Sequence, residues 1–277
     1  LGKYSFKDEF IFKEILIKGN RNYTDKYCIK KLGLKKNEII SRKDFMRGID
    51  VLTATGNFES IFYKFIQVDG GIQVEFEISE NREETLIQFG AHYDDLYKTG
   101  ILVNFTNKHL FFKNDFISAD FVVGDNIRYN IDYFYDNGFN WSFGLNTRYN
   151  TFKSDVAPSA LPVIRNSAPL DSGSMIPLRY IDFTTRLFLQ STVKDRWAFR
   201  VGIEHKFLNT FTDEIINDET NRVYFERSHF LNAFGKIMLD TYDTKYFPKK
   251  GLFLNTEYLL YGASSNYNEN FTTFSQL

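Results

Sequence analysis

The sequence predicts a small α+β unit of order strand–helix–helix–strand–strand, followed by an antiparallel transmembrane β-barrel. Three observations carry this: long stretches of strict two-residue alternation, an alternate row that is charged and polar, and aromatic residues gathered near strand ends. Between 126 and 150, Ile127, Tyr129, Ile131, Tyr133 and Tyr135 fall on every second residue, with Arg128, Asn130 and Asp132 between them. After DNGFN the rhythm resumes, with Trp141, Phe143, Leu145 and Tyr149 against Ser142, Gly144, Asn146 and Arg148. Period two is the signature of a strand with unlike faces.

The first eighty residues mix both periodicities. IFKEILIKG (11–19) reads as a strand closed by Gly19-Asn20. Thr24 stands where a helix N-cap belongs, Cys28 and Leu32 share a face, and Gly33 stops the helix. Ser41 with Asp44 makes a capping-box-like start to a second helix, whose face carries Phe45, Ile49 and Leu52 and which Gly56 ends. Two strands follow, 61–68 and 72–79, joined by Asp69-Gly70-Gly71, a hairpin turn. The two helices are expected to cover one side of this sheet.

From Thr85 onward the helical pattern disappears and about ten strands are expected. They are Thr85–Tyr93, Gly100–Thr106, Phe116–Val123, Asn126–Tyr135, Trp141–Tyr149, Tyr180–Gln190, Trp197–His205, Val223–Leu239 (broken near Ser228), Gly251–Tyr261 and Phe271 to the end. Several exceed the five or six residues usual in soluble proteins. Connections such as VKDR are short, while 151–177 and 208–221 are long and polar. Short turns at one end and long loops at the other are the pattern of an outer-membrane barrel. Gly124-Asp125, a tight turn on the long-loop side, fits it less well.

In a soluble sandwich the apolar row would face a core; in a membrane barrel it faces lipid and the polar row lines the interior. Ten consecutive antiparallel strands enclose more space than apolar side chains fill, and the alternate row is strongly polar, so the membrane reading prevails. Arg128, Arg148, Arg186 and Arg200 are then expected to form a lumen network with Asp132, Asp182 and Glu204. Tyr133, Tyr135, Trp141, Tyr149 and Trp197 would form aromatic girdles at the headgroups.

Composition excludes other classes. The 277 residues carry a net charge of −1, which leaves no electrostatic footprint for nucleic acid. No apolar run approaches the roughly 20 residues of a spanning helix. A single cysteine, Cys28, gives no disulfide framework within the chain. LGKYSFKDEF is charged from its third residue, so a secretion signal is expected to have been removed or to lie upstream. His92, His109, His205 and His229 are scattered without metal-ligand spacing, and no metal or cofactor is expected. Lys30-Lys31 with Lys35-Lys36 reads as a solvated helix face, and Asp94-Asp95 as a turn.

The element order, with IKGN ending the first strand, KKLGLKKNE after the first helix and TATGNFESIFYKF leading from the second helix into a strand, resembles a POTRA domain. A POTRA domain (residues 1–83 with an N-terminal linker) followed by an aromatic barrel (84–277) is similar to the bacterial surface antigen superfamily of barrel-assembly and two-partner-secretion proteins. LDTYDTKYFPKKGLFLNTEY adds a second match: Asp240, Asp243, Phe247, Pro248 and Gly251 reproduce that superfamily's D-x-x-D-x-x-x-F-P-x-x-G turn. Within it, FGAHYDDLYKTGILVNFTNKHLFFKND looks most like outer-membrane patatin-like phospholipases, which carry a hydrolase, one POTRA domain and a barrel.

The resemblance implies an outer-membrane location with a periplasmic POTRA domain. It implies lipid as a surrounding partner and an unfolded client or passenger added as a strand at the POTRA edge, near Ile61, Tyr63 and Phe65. The first barrel strand would pair with the last to close the seam, where family members are thought to open laterally. A homo-oligomer stays open. No Gly-x-Ser-x-Gly occurs here, and Asp69-Gly70-Gly71 is a turn rather than a catalytic partner, so a patatin-like hydrolase would have to lie before Leu1. Family barrels have sixteen strands and an Arg-Gly-Phe/Tyr loop motif, absent here apart from Arg47-Gly48 in a helix. SQL also lacks the family's terminal aromatic, so the 277 residues are expected to be a fragment. An insertase or two-partner secretion pore without an enzyme domain is the competing reading, and a soluble all-β binding protein the third.

Overall fold

The computed structural model describes residues 9–69, 71–82, 85–138, 141–157, 175–193, 196–213, 222–242, 249–266 and the backbone of 272–276. The N-terminal unit runs β1 (Glu9–Lys18), α1 (Asp25–Lys31), β2 (Ile39–Ser41), α2 (Arg42–Ala54), β3 (Phe58–Val68) and β4 (Gly71–Glu80). Its sheet has the order β2-β1-β4-β3, with β1 parallel to β4 and the outer pairs antiparallel. A parallel pair needs a crossover, and both helices lie in the segment that makes it.

Both helices start where their side chains allow. Thr24 Oγ1 accepts from the Tyr27 N–H and Ser41 Oγ from the Asp44 N–H, meeting donors that a helix start otherwise leaves unpaired. Gly33 and Gly56 follow the helices with φ of 67°. Cys28, Leu32, Phe45 and Leu52 bury against Phe12, Val74 and Phe76, while Ile49 packs at the margin. Burial pushes the Cys28 thiol up to about 12, so it is a packing residue rather than a nucleophile. The three-residue strand β2 was not foreseen; it is too short to show a period and exists by pairing with β1.

The second sheet contains β5 (Thr85–Asp94), β6 (Lys98–Lys108), β7 (Asp115–Gly124), β8 (Arg128–Tyr135), β9 (Ser142–Val156), β10 (Ile176–Val193), β11 (Trp197–Thr212), β12 (Val223–Asp240), β13 (Phe253–Ser264) and β14 (Thr272–Gln276). Among the described residues these ten pair in sequence order, leaving β5 and β14 at the edges. Register sorts the side chains into rungs. Phe89, Val103, Phe121, Tyr129, Tyr149, Phe183 and Phe207 are successive partners across seven strands. The neighbouring rung reads Asn104, Asp120, Asn130, Arg148, Thr184 and Lys206. Along these rungs one face is apolar and the other polar.

The strands differ from expectation in length. β9, β10 and β11 run past 149, 180 and 205 into segments read as loops, pairing Val156 with Ile176 and Thr212 with Val223. Backbone pairing holds there without help from the apolar pattern, which had ended. β12 is continuous through Ser228, which is fully buried and pairs with Leu208; the irregularity opposite β11 lies instead at Thr210/Phe211. β8 begins at Arg128 because Asn126 is taken up by the turn, donating to the Tyr97 carbonyl. Within the Asp240–Gly251 motif, Asp243, Phe247 and Pro248 lie outside the described residues, as does Gly70 of the first hairpin. Asp240 accepts from the Tyr242 N–H, and Gly251 takes φ 117° where a Cβ would strike the Thr241 carbonyl, a conformation that glycine adopts without strain.

Replacing Thr24 by Ala is expected to destabilise the N-terminal unit by about 1 kcal/mol. The check is the urea midpoint of the helical circular dichroism signal in the whole protein, since both described helices lie in that unit. An unchanged midpoint refutes the cap.

Candidate functional site

The polar face is concave. Arg186 on β10 donates from Nη2 to Glu257 Oε1 on β13 at 3.0 Å, across two intervening strands. Three strand spacings on a flat sheet amount to about 14 Å, so the sheet must curl towards this face for the two to meet. Exposure agrees: on β11 Ile203 is 53% exposed and its neighbour Glu204 2%; on β12 Leu231 is 54% exposed and Asn232 2%.

A connected set of side chains occupies the hollow. Arg186 Nε donates to Glu204 Oε2 at 2.6 Å, and Asn232 Nδ2 to Glu204 Oε1 at 2.9 Å. A buried carboxylate is tolerable when paired and fully hydrogen-bonded, and Glu204 has both. Aromatic rings hold the guanidiniums. Arg186 lies 4.8 Å from the Phe234 ring centre and Arg200 4.0 Å from that of Phe188. Those rings in turn occupy room left by glycine: a Cβ on Gly144 would strike Phe188, and one on Gly202 would press on both Phe188 and Phe234. Glycine on one strand thus makes space for the ring that supports an arginine.

The predicted lumen residues share this face but form several separate groups rather than one ladder. Arg186 joins Glu204, with Glu257 and Asn232 added by the structure. Arg200 donates to Gln190 Oε1, and Asp182 meets Lys206 Nζ at 3.4 Å. Towards β5, Asp132 accepts from Asn130 and Asn146. Arg128 lies over the Tyr97 ring and 2.6 Å from His92 Nε2. Arg148 is more exposed, opposite Asn130 and Thr184. Alternation puts residues on a face, but only register and curvature choose their neighbours.

The predicted girdle residues divide between two levels. Tyr133, Tyr135, Trp141 and Trp197 lie at the end nearest the N-terminal unit, with Trp197 stacked on Phe199. Tyr149 stacks on Tyr129 towards the other end, and β9 continues beyond it to Val156. Tyr149 is therefore a mid-strand residue, since the strand outruns its apolar stretch.

The N-terminal unit is fastened to the turns at one end of the barrel sheet, through residues read earlier as a solvated face. Lys31 Nζ pairs with Asp136 at 2.9 Å, and Lys30 Nζ donates to the Asn137 carbonyl. Lys108 Nζ donates to Asn57 Oδ1 at 3.2 Å, and Lys113 Nζ to the Arg21 carbonyl at 2.7 Å. Tyr23 meets His109 edge-on at 4.5 Å. Between them lies a cleft of about 360 Å³ bordered by Tyr27, Lys31, Asn57, Lys108 and Asp136. Burial, then the Asp136 charge, raises the Tyr27 hydroxyl above its usual range. The break in alternation at DNGFN marked a turn, and nothing local marked it or the connection before β7 as a docking point.

β3 is an edge of the N-terminal sheet. Ile61 packs against the core, while Tyr63 and Phe65 lean half-exposed on Phe45. On the opposite face Glu75 accepts from Lys18 and Lys64, both at 2.9 Å. These bonds hold its carboxyl below the ordinary range.

The sequence profile of the OMP85 superfamily matches residues 72–277. The chain belongs to the OMP85 superfamily, whose barrels are outer-membrane proteins. Among solved structures, BamA from Haemophilus ducreyi lacking POTRA domains 1–3 is 14% identical, with a TM-score of 0.62 over 91% of this chain and 48% of that one. CdiB from Acinetobacter baumannii is 13% identical, with a TM-score of 0.50 over 92% of this chain and 46% of that one. The chain spans about half the length of these structures, and at such identity the likeness is one of fold. A search of curated proteins returned no match.

Arg186→Ala is expected to cost about 3–5 kcal/mol by leaving Glu204 buried without its cation. The readout is the denaturant midpoint of the unboiled, fast-migrating gel band, and adding Glu204→Gln should recover part of the loss. An unshifted midpoint would mean the network contributes nothing. In the N-terminal unit, a lowered carboxyl stabilises above its unfolded pKa and loses that contribution as pH falls through the folded one. The helical signal should therefore weaken below about pH 4, and less steeply in Glu75→Gln; identical acid profiles refute the assignment.

Proposed function

We propose that this chain is the periplasmic POTRA domain (residues 1–83) and the first part of the barrel (84–277) of an outer-membrane anchor and translocator. The two-faced sheet carries the reading. Its apolar rungs suit acyl chains, its concave polar face suits a hydrated lumen, and its continuous pairing satisfies the backbone where water is absent. The N-terminal unit, bonded to one set of turns, would sit under the periplasmic mouth.

In this reading an extended client segment adds to the free edge of β3, main chain to main chain, with Ile61, Tyr63 and Phe65 selecting its side chains. The charged hollow around Arg128, Asp132, Arg148, Asp182, Arg186, Arg200 and Glu204 sets the field that a polar passenger meets. The Asp240–Gly251 segment, with Asp243, Phe247 and Pro248, would be the family turn between barrel strands. The particular passenger we favour is a patatin-like lipid hydrolase encoded upstream of Leu1; the segment 89–115, which builds the first barrel strands, supports it. The likeness in fold to BamA and CdiB supports a second reading, an insertase or secretion pore without an enzyme domain.

Two measurements decide. A quencher scan of spin labels in bilayers should find Ile131 and Leu145 in contact with lipid and Arg128 and Asn146 protected; the reverse pattern removes the barrel reading. For the passenger, a Gly-x-Ser-x-Gly in the sequence before Leu1 supports the hydrolase, whereas further POTRA repeats there support the pore.

A further inference from the structure

On the outward, apolar face of the barrel sheet, two neighbouring rungs each carry an imidazole. The aromatic rung that begins at Phe89 passes Phe183 and Phe207 and closes on His229. The rung beside it passes Thr147 and Thr185 to His205. His205 pairs with Leu231 and Phe207 with His229, so the two histidines are diagonal neighbours on β11 and β12. His205 Nε2 lies 3.1 Å from His229 Nδ1, and Phe207 stacks on the His229 ring with centres 4.5 Å apart. Counting from Trp197 at the inner end, His205 falls near the close of the roughly 9–11 residues that cross a bilayer. The pair is solvent-accessible, bordered by Ile203 and Leu231 on one side and Arg227 on the other.

We propose that His205 and His229 form a cross-strand site for a borderline divalent metal ion such as Cu²⁺, Zn²⁺ or Ni²⁺ at the outer rim of the barrel. Neutral imidazole is the favoured protein ligand for these ions. Two imidazole nitrogens each about 2.0–2.1 Å from one ion stand about 3 Å apart when the angle at the metal is near 90–110°. The register has already brought these nitrogens to that separation, and long pairing on both sides of β11 and β12 keeps the backbones there. The Phe207 ring fixes the plane of His229. The remaining coordination positions open outward and would take water. The ion would replace the proton that now links the two rings.

The other histidines are less suited. Among the described residues no group of three or more His, Cys, Asp or Glu side chains could hold a metal. His92 approaches Asp94 at 3.4 Å, but its Nε2 already faces the Arg128 guanidinium at 2.6 Å. A cation there would displace another. His109 lies against Tyr23 at the junction with the N-terminal unit.

The test is a Cu²⁺ titration of the whole protein in detergent micelles, followed by electron paramagnetic resonance. The expected result is one copper per chain with hyperfine coupling to two nitrogens. His205→Ala and His229→Ala should each reduce the coupling to one nitrogen and weaken binding at least about tenfold, and His92→Ala should change neither. The unboiled gel band reports whether each variant is folded; where His205→Ala is not, His205→Gln takes its place. Absence of stoichiometric binding overturns the proposal, as does a two-nitrogen signal that survives His205→Ala or vanishes in His92→Ala.

Discussion

A backbone that crosses hydrocarbon must satisfy every N–H and C=O from within the protein, and among the described residues continuous antiparallel pairing does so for the strands between the edges β5 and β14. Everything else about the barrel sheet follows from that ladder. Pairing fixes a side-chain period of two, the period sorts residues into two rows, and the rows require two different solvents. A one-residue slip anywhere would carry Glu204 to the side of Ile203 and Leu231 and expose a carboxylate where an apolar side chain belongs. The two bulges within β11–β13 each insert one extra residue, Phe225 opposite Thr210/Phe211 and Gly262 opposite Leu231/Asn232, and shift the pairing by one beyond it.

The concave face shows how a wide sheet supports charge without an apolar core. Gly144 and Gly202 leave gaps, Phe188 and Phe234 lie across them, and Arg200 and Arg186 rest on those rings. Glu204 and Glu257 then balance Arg186. Each member depends on the one before it, so the glycines matter to the ion pairs although they touch no charge. Arg200, whose nearest acceptor is the neutral Gln190, leaves the hollow with cationic character on that side. Such a surface suits a polar or acidic segment better than a greasy one.

At the near end of the sheet, lysines of α1 reach the β8–β9 turn while Lys108 and Lys113 reach back. Contacts of this kind, half-exposed and made by long side chains, are individually weak. Their number and the wedge of Tyr23 against His109 hold the N-terminal unit in one attitude while leaving the β3 edge free. The cleft between the two parts shows that this junction is bridged rather than filled, unlike the core around Phe12 and Phe76.

The sequence by itself determined what depends on neighbours along the chain. Thr24 and Ser41 announced the helix starts, the Ile72–Ser79 alternation assigned its two faces, and Ile127–Tyr135 and Arg128–Asp132 were sorted into opposite rows before their partners were known. Where the pattern stopped, so did its reach: the outer extensions of β9, β10 and β11, the short β2 and the continuity of β12 at Ser228 rest on pairing with distant segments. The tertiary structure alone decided which charged residues meet. Arg186 finds Glu257 through curvature, Lys31 finds Asp136 through docking, and His205 finds His229 through a diagonal register. Period is a local property of the chain, whereas register and curl are set by strands far away in sequence, and contacts across the sheet follow from those.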